Sequence, residues 1–249
     1  MARFEGKHVL VTGGTSGIGL ATAQIVAAEG GRVAVTGRSA RHRDTARAAL
    51  PESALVIEND AADPEQVDAL VATLREAFGQ LDAVFLNAGF GTFRPIEALD
   101  ADHIDAMLAT NVRGPALQMQ GLRPLLKEGA GIVVTGSVSP YIGQGGGSVY
   151  AATKGAVQGI VRAWARELAP AGIRVNTLAP GPIETNFFEA TGLSQEESQG
   201  FAEMVKGMVP LGRFGSSEEV GRVAAFLLSD DASYVTGSEY VVDGGMTMR

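Results

Sequence analysis

His8-Val9-Leu10-Val11-Thr12-Gly13-Gly14-Thr15-Ser16-Gly17-Ile18-Gly19 is the stretch that decides how this chain folds. Its first part is a short, largely aliphatic run that reads as a strand covered on both faces. Its second part is a glycine-rich turn, and a helical pattern with apolar residues three and four apart begins inside it and runs over 18–29. Glycines at such a turn let the backbone bend sharply and approach a pyrophosphate, whose charge then meets the N–H groups of the helix N-terminus. Gly13, Thr15, Ser16, Gly17, Ile18 and Gly19 are therefore candidate phosphate-cradling residues. A triphosphate P-loop is disfavoured, because Leu20-Ala21 follows Gly19 where Lys-Ser or Lys-Thr would be needed. The alternative is a turn that only joins strand to helix.

Working outward, β-branched runs at 32–36, 54–57, 83–86, 131–135, 173–178 and 240–242 alternate with helical patterns at 64–78, 101–126, 148–168 and 216–228. The runs are continuously apolar rather than alternating, which predicts a parallel sheet inside helical layers. The fold class is α/β: a doubly wound, Rossmann-type seven-stranded parallel sheet with helices on both faces. Asp63 before Pro64 and Ser216-Ser217-Glu218-Glu219 read as helix starts, while Pro115 and Pro124 predict a kink within 101–126. No repeat or linker interrupts the chain, so residues 1–249 read as one catalytic, dinucleotide-binding domain. Within it, 182–214 is too long and too apolar for an ordinary loop, with Phe187, Phe188, Phe201, Met204, Val205, Met208 and Val209, and reads as a substrate lid.

Composition narrows the chemistry. The 249 residues carry 20 basic and 28 acidic side chains, a net charge of −8, and no cysteine. Disulfides, thiolate metal sites, iron–sulfur clusters and cysteine nucleophiles are excluded. His8, His42 and His103 are scattered, so no metal site is expected, and no Gly-x-Ser-x-Gly marks a hydrolase nucleophile. The acidic balance argues against a nucleic-acid partner, and the charged N-terminus and lack of a long apolar segment argue against a membrane. The expected location is cytoplasmic.

Two further features carry chemistry. About 20 residues past the glycines, where an NAD-binding fold places an acid for the ribose 2′-hydroxyl, stand Gly37-Arg38. A guanidinium there favours a 2′-phosphate, hence NADP(H), with NAD(H) the alternative. Past the fifth strand come Ser137 and Ser139, where open α/β sheets bind ligands. Tyr150 and Lys154 follow, four apart on one helical face, so that an ammonium beside the phenol would lower its pKa toward working pH.

With these motifs in this order, the chain resembles the short-chain dehydrogenase/reductase family from Thr12-Gly13 to Asp243-Gly244-Gly245. The resemblance implies a catalytic tetrad of Asn111, Ser137, Tyr150 and Lys154. It implies that Asn87-Ala88-Gly89 supports the sheet beside the cofactor, that Asp60 hydrogen-bonds the adenine, and that Pro180, Gly181, Ile183 and Thr185 contact the nicotinamide. Tyr150 would deliver the proton, Ser137 would bind the substrate oxygen, Lys154 would hold the nicotinamide ribose, and Asn111 would fix a relay water. The implied activity interconverts a ketone and a secondary alcohol in a homotetramer assembled through the long helices and the last strand. The candidate walls Phe90-Gly91-Thr92-Phe93-Arg94 and Pro140-Tyr141-Ile142-Gly143-Gln144 suit an apolar or aromatic substrate. Two other readings stand beside it: a 3-oxoacyl carrier-protein reductase, weakened by Glu128-Gly129 and Pro170-Ala171-Gly172 where basic residues would dock the carrier, and a non-catalytic NADP(H)-binding regulatory protein.

Overall fold

Continuous Val, Ile and Leu runs cannot satisfy their backbone groups in the interior alone, so they pair side by side and bury both faces. The computed structural model describes residues 2–184, 200 and 203–248. The strands of its main sheet are β1 (His8–Val11), β2 (Arg32–Gly37), β3 (Leu55–Glu58), β4 (Leu81–Leu86), β5 (Leu126–Thr135), β6 (Arg174–Pro180) and β7 (Glu239–Val242). They form one seven-stranded sheet in the order β3-β2-β1-β4-β5-β6-β7, every pair parallel. The order reverses between β1 and β4, the crevice where such sheets bind ligands beyond their strand ends.

Two helical layers cover the sheet. On one side α1 (Gly17–Ala28), α2 (Ala40–Ala49) and α7 (Ser217–Leu228) contribute to a core with Val9, Val11, Val35, Phe85 and Val133. On the other, α3 (Pro64–Phe78), α5 (Gly114–Leu122) and α6 (Ser148–Leu168) pack on Leu10, Val84, Leu86, Ile132 and Val134. The strand residues divide by alternation, Leu10 to one layer and Val9 and Val11 to the other, as the pleat requires. Each large side chain so buried contributes about 1.5–3 kcal/mol from apolar burial.

Helix starts follow their sequence signals. Asp63 accepts from the N–H groups of Glu65 and Gln66 ahead of α3, and Ser216 with Glu219 forms a reciprocal cap on α7. The stretch 101–126 is not one helix. It comprises α4 (Ala101–Leu108), a π-helical turn (Ala109–Arg113), α5, and a 3-10 turn at Arg123–Leu125 that leads directly into β5. Pro115 has no N–H for the carbonyl of Asn111, and its ring would clash with that carbonyl in a regular turn; the widened turn lies immediately before it. The basic stretch after Arg38, to which the apolar patterns assign no helix, forms α2 with only Ala46 buried. An apolar period could not reveal a helix that buries so little.

Candidate active site

The glycine turn is shaped by close backbone packing, and Thr36 Oγ1 accepts from the Gly13 N–H. Gly13 and Gly17 have φ of +60° and +51°, which favours glycine. A Cβ on Gly13 would lie 2.9 Å from the α-carbon of Ala88, and one on Gly19 would meet the Gly13 carbonyl and, at 2.7 Å, the Asn87 amide nitrogen. Ser16, extended at the N-cap of α1, makes no side-chain cap, and the first turn of α1 has no acid. Thr15 touches the position a Cβ on Gly37 would occupy, and Ile18 packs partly into the core below. This narrow, acid-free cradle at a helix N-terminus suits a dinucleotide pyrophosphate.

At the end of β2, Arg38 is 62% exposed and its Nη1 lies 3.4 Å from Asp60 Oδ2. Asp60 also accepts from the Ala62 N–H, so the carboxylate is fixed at the mouth of β3 beside the arginine. No acid occupies the turn itself, which runs Gly37-Arg38-Ser39.

From the cradle a chain of hydrogen bonds leads to the tyrosine helix. Asn87 donates to the carbonyls of Thr12 and Gly13, both at 3.2 Å, and accepts from Thr135 Oγ1 at 3.0 Å. The Thr135 carbonyl accepts from Lys154 Nζ at 2.8 Å. A Cβ on Gly89 would sit 3.1 Å from Asn111 Oδ1 and 3.4 Å from Lys154 Nζ, so both groups face the one glycine. Asn111 lies in the π turn and is 1% exposed. It accepts from the Phe90 N–H and donates to the Phe90 carbonyl and to Thr153 Oγ1. Its side chain thereby ties the loop after β4 to α6.

Ser137 is buried just past β5, its Oγ accepting from the Ser139 N–H at 3.1 Å and also bonded to the Tyr150 side chain. Pro180 accepts from the Val138 N–H, and the Gly181 N–H donates to Val242. Ile183 is buried and pairs in parallel with Gly215. Thr185 lies outside the described residues, as do Phe187, Phe188 and Phe201 of the connection read as a lid. Of its other apolar residues, Val205 and Val209 are buried while Met204 and Met208 are exposed.

The phenol does not have the electrostatics its spacing predicts. Burial pushes Tyr150 above its ordinary value of 10.0, and the hydrogen bond with Ser137 pulls only part of that back. Burial also pushes the Lys154 ammonium down from 10.5 to about 8. Lys154 Nζ lies 5.8 Å from the Tyr150 ring centre and donates to Thr135 instead of to the phenol. In the protein alone, desolvation outweighs the attraction expected between neighbours one turn apart. At neutral pH the arrangement is a protonated phenol beside a largely protonated amine, suited to giving a proton to a substrate oxygen.

Around the phenol, Phe93 meets Tyr150 edge-on at 5.9 Å between ring centres. Its loop is pinned by the Arg94 N–H to the Gly146 carbonyl and by an Arg94–Asp100 ion pair of 2.5 Å. Arg94 is thus engaged by an acid, so its charge is balanced at the surface. Tyr141 donates to Glu239, which Gln158 also contacts, fastening the opposite wall to β7. Sequence reading missed the threonines that connect these parts, Thr12, Thr135 and Thr153. Their one signal is a hydroxyl residue at a strand end or within the tyrosine helix, which many strands and helices share.

An open parallel sheet with a glycine cradle at its switch point and a Ser-Tyr-Lys cluster one strand away defines a nucleotide-dependent oxidoreductase class. A family model described as enoyl-(acyl carrier protein) reductase matches residues 13–247. Levodione reductase of Leifsonia aquatica is 39% identical over 255 residues, covering 98% of this chain and 96% of that protein. A 3-oxoacyl carrier-protein reductase of Escherichia coli is 34% identical over 247 residues, covering 98% and 99%. The crystal structure of levodione reductase superposes with a TM-score of 0.92 at 37% identity over 98% of both chains. A short-chain dehydrogenase of Burkholderia cenocepacia in complex with NADP gives 0.88 at 33% identity, over 98% and 99%. The chain belongs to the short-chain dehydrogenase/reductase family of oxidoreductases, enzymes that bind nicotinamide cofactors.

Proposed function

We propose that this protein is an NADP(H)-dependent carbonyl reductase/alcohol dehydrogenase, interconverting a ketone and a secondary alcohol on an apolar or aromatic substrate. The observation that carries the reading is the unbroken connection from the glycine cradle through Asn87 and Thr135 to Lys154, beside Tyr150 and Ser137. It holds a cofactor site and a proton donor in one rigid frame. The residues fit the cofactor: the turn packs against Ala88 and Asn87 only because Gly13 and Gly19 lack a Cβ, which leaves an acid-free helix N-terminus for a pyrophosphate, and Arg38 is a guanidinium able to bind a 2′-phosphate. Gly37 lets the turn pack against Thr15, Asp60 offers an acceptor for the adenine, and Ala88 with Gly89 lines the floor. Pro180, Gly181, Ile183 and Thr185 are assigned to the nicotinamide end. A bound nicotinamide supplies or takes the hydride; the protein provides the rest.

In the reductive direction Ser137 donates to the carbonyl oxygen and shares its developing charge. Tyr150, kept protonated by burial, passes its proton to that oxygen. Lys154 holds the ribose, and Asn111, facing it across Gly89, fixes the water that returns a proton. The apolar substrate preference rests on Phe93 against Tyr150 and on Arg94 being occupied by Asp100. No nucleic acid or membrane is a partner in this reading, and among the described residues no helix is long and apolar enough to cross a membrane. We place the enzyme in the cytoplasm, with residues 1–249 as one catalytic unit. A homotetramer is supported by an open groove of about 610 Å³ beside Leu108, Val112 and Ala116, and by Val241, 43% exposed on the edge strand.

The second reading, reduction of a 3-oxoacyl thioester, draws support from the Escherichia coli relative. One assay separates them: NADPH and NADH oxidation with an aryl ketone and with a 3-oxoacyl thioester, using Tyr150→Phe as the blank. The expected result is NADPH-dependent ketone reduction that falls by about 10²–10⁴-fold in the blank. Preference for the thioester would move the protein to fatty-acid chemistry. Near-native turnover by Tyr150→Phe would remove the tyrosine from its role.

A further inference from the structure

The residue that prepares the cofactor-selecting turn is Arg43, which stands in the first turns of α2, outside every motif described above. Its Nη1 donates to the carbonyls of Arg38 at 2.6 Å and Gly37 at 3.3 Å, and its Nη2 donates to Glu58 Oε2 at 2.6 Å. The guanidinium side chain is 12% exposed, against 62% for Arg38. Glu58 is opposite Gly37 in the β2–β3 register, so this ion pair lies directly beneath the turn. On its other side the turn abuts Thr15, which leaves no room for a side chain on Gly37.

We infer that Arg43 is a positioning residue for NADP(H) selectivity, holding the Gly37-Arg38 backbone in the one conformation that presents Arg38 to a 2′-phosphate. The inference rests on the NADP(H) reading of Arg38. Two physical effects act together. An exposed arginine loses conformational freedom when it binds phosphate, and fixing the backbone that carries it removes part of that cost beforehand. Arg43 also neutralises Glu58, which with Asp60 would otherwise set two carboxylates beside a dianionic phosphate. A fork that reaches two carbonyls and a carboxylate at once is a geometry that a guanidinium has and an ammonium lacks.

The test measures equilibrium binding of NADPH and of NADH by titration calorimetry to the wild type, Arg43→Met, Arg43→Lys and Arg38→Ala, with Tm recorded for each. For Arg43→Met the expectation is about tenfold weaker NADPH binding, while NADH binding stays within roughly twofold. Arg43→Lys, the milder change should Arg43→Met fold poorly, recovers only part of the NADPH affinity. A loss equal for both cofactors, or no loss, overturns the positioning role, and full recovery in Arg43→Lys replaces it with simple charge. If Arg38→Ala leaves NADPH binding unchanged, the cofactor reading falls and this inference falls with it. If Arg38→Ala loses NADPH and Arg43→Met does not, only this inference falls.

Discussion

The cofactor cradle and the substrate wall are both rich in glycine, and they use it in opposite ways. In the cradle a Cβ on Gly13, Gly14 or Gly19 would strike backbone or buried atoms within 3 Å, whereas on Gly143 or Gly145 it would meet nothing within 4 Å. One region is glycine because the chain packs against itself there. The other is glycine where space is open, so packing does not require glycine there. The packed region that runs from the cradle through Asn87 and Thr135 to α6 also encloses a buried amine, Lys154.

The sharpest way to break this contrast is at Lys154. Its ammonium is fully enclosed and its pKa is about 8 instead of 10.5, so the unfolded chain binds more protons than the folded one between those values. Holding the charge inside therefore costs stability below pH 8, by roughly 3 kcal/mol, and the cost fades as pH rises toward 10.5. Lys154→Met should lose activity by about 10²-fold or more while unfolding at higher denaturant than the wild type at pH 7. The stability gap should narrow above pH 8. A variant less stable than the wild type at pH 7 would show that the hydrogen bond to Thr135 outweighs desolvation.

Next in size is Gly19→Ala. The added Cβ meets the Gly13 carbonyl and Asn87, so overpacking of about 1–3 kcal/mol should lower Tm and weaken NADPH binding by ~10–100-fold. Unchanged binding would mean that the turn relaxes at no cost, and the contrast with the wall would lose its basis. The smallest effect belongs to Gly143→Ala. Stability should stay within about 0.5 kcal/mol and NADPH affinity should not move, leaving only a shift in KM between small and bulky ketones. A large loss of Tm would show that the open wall is packed after all.

The strand runs, the glycine turn and the Ser137, Tyr150 and Lys154 positions are legible in sequence because each follows from local pattern: continuous apolar runs, flexible turn residues, a four-residue helical step. The α2 helix is not, since it buries only Ala46 and offers no apolar face. Nor is the break in 101–126 at its actual place. Pro115 announces irregularity, but the π turn that carries Asn111 arises from how the chain accommodates that proline while packing α4 and α5. The role of Asn111 toward Phe90 and Thr153 joins residues 21 and 42 positions away, which no local pattern records.

By itself the sequence determined the α/β architecture, the parallel sheet and the order in which the site residues occur, because period and turn chemistry act over a few residues. Only the tertiary structure decided what those residues experience. It enclosed Lys154 and half-buried Tyr150 so that desolvation raises the phenol and lowers the amine, against the sign that their spacing implies. It paired Arg94 with Asp100, balancing that charge, and seated Arg43 beneath Arg38 through a strand register and a helix that the sequence pattern does not display. Hydrogen bonds and solvent exclusion depend on groups brought together from distant parts of the chain, and their energies exist only once the fold has closed around them.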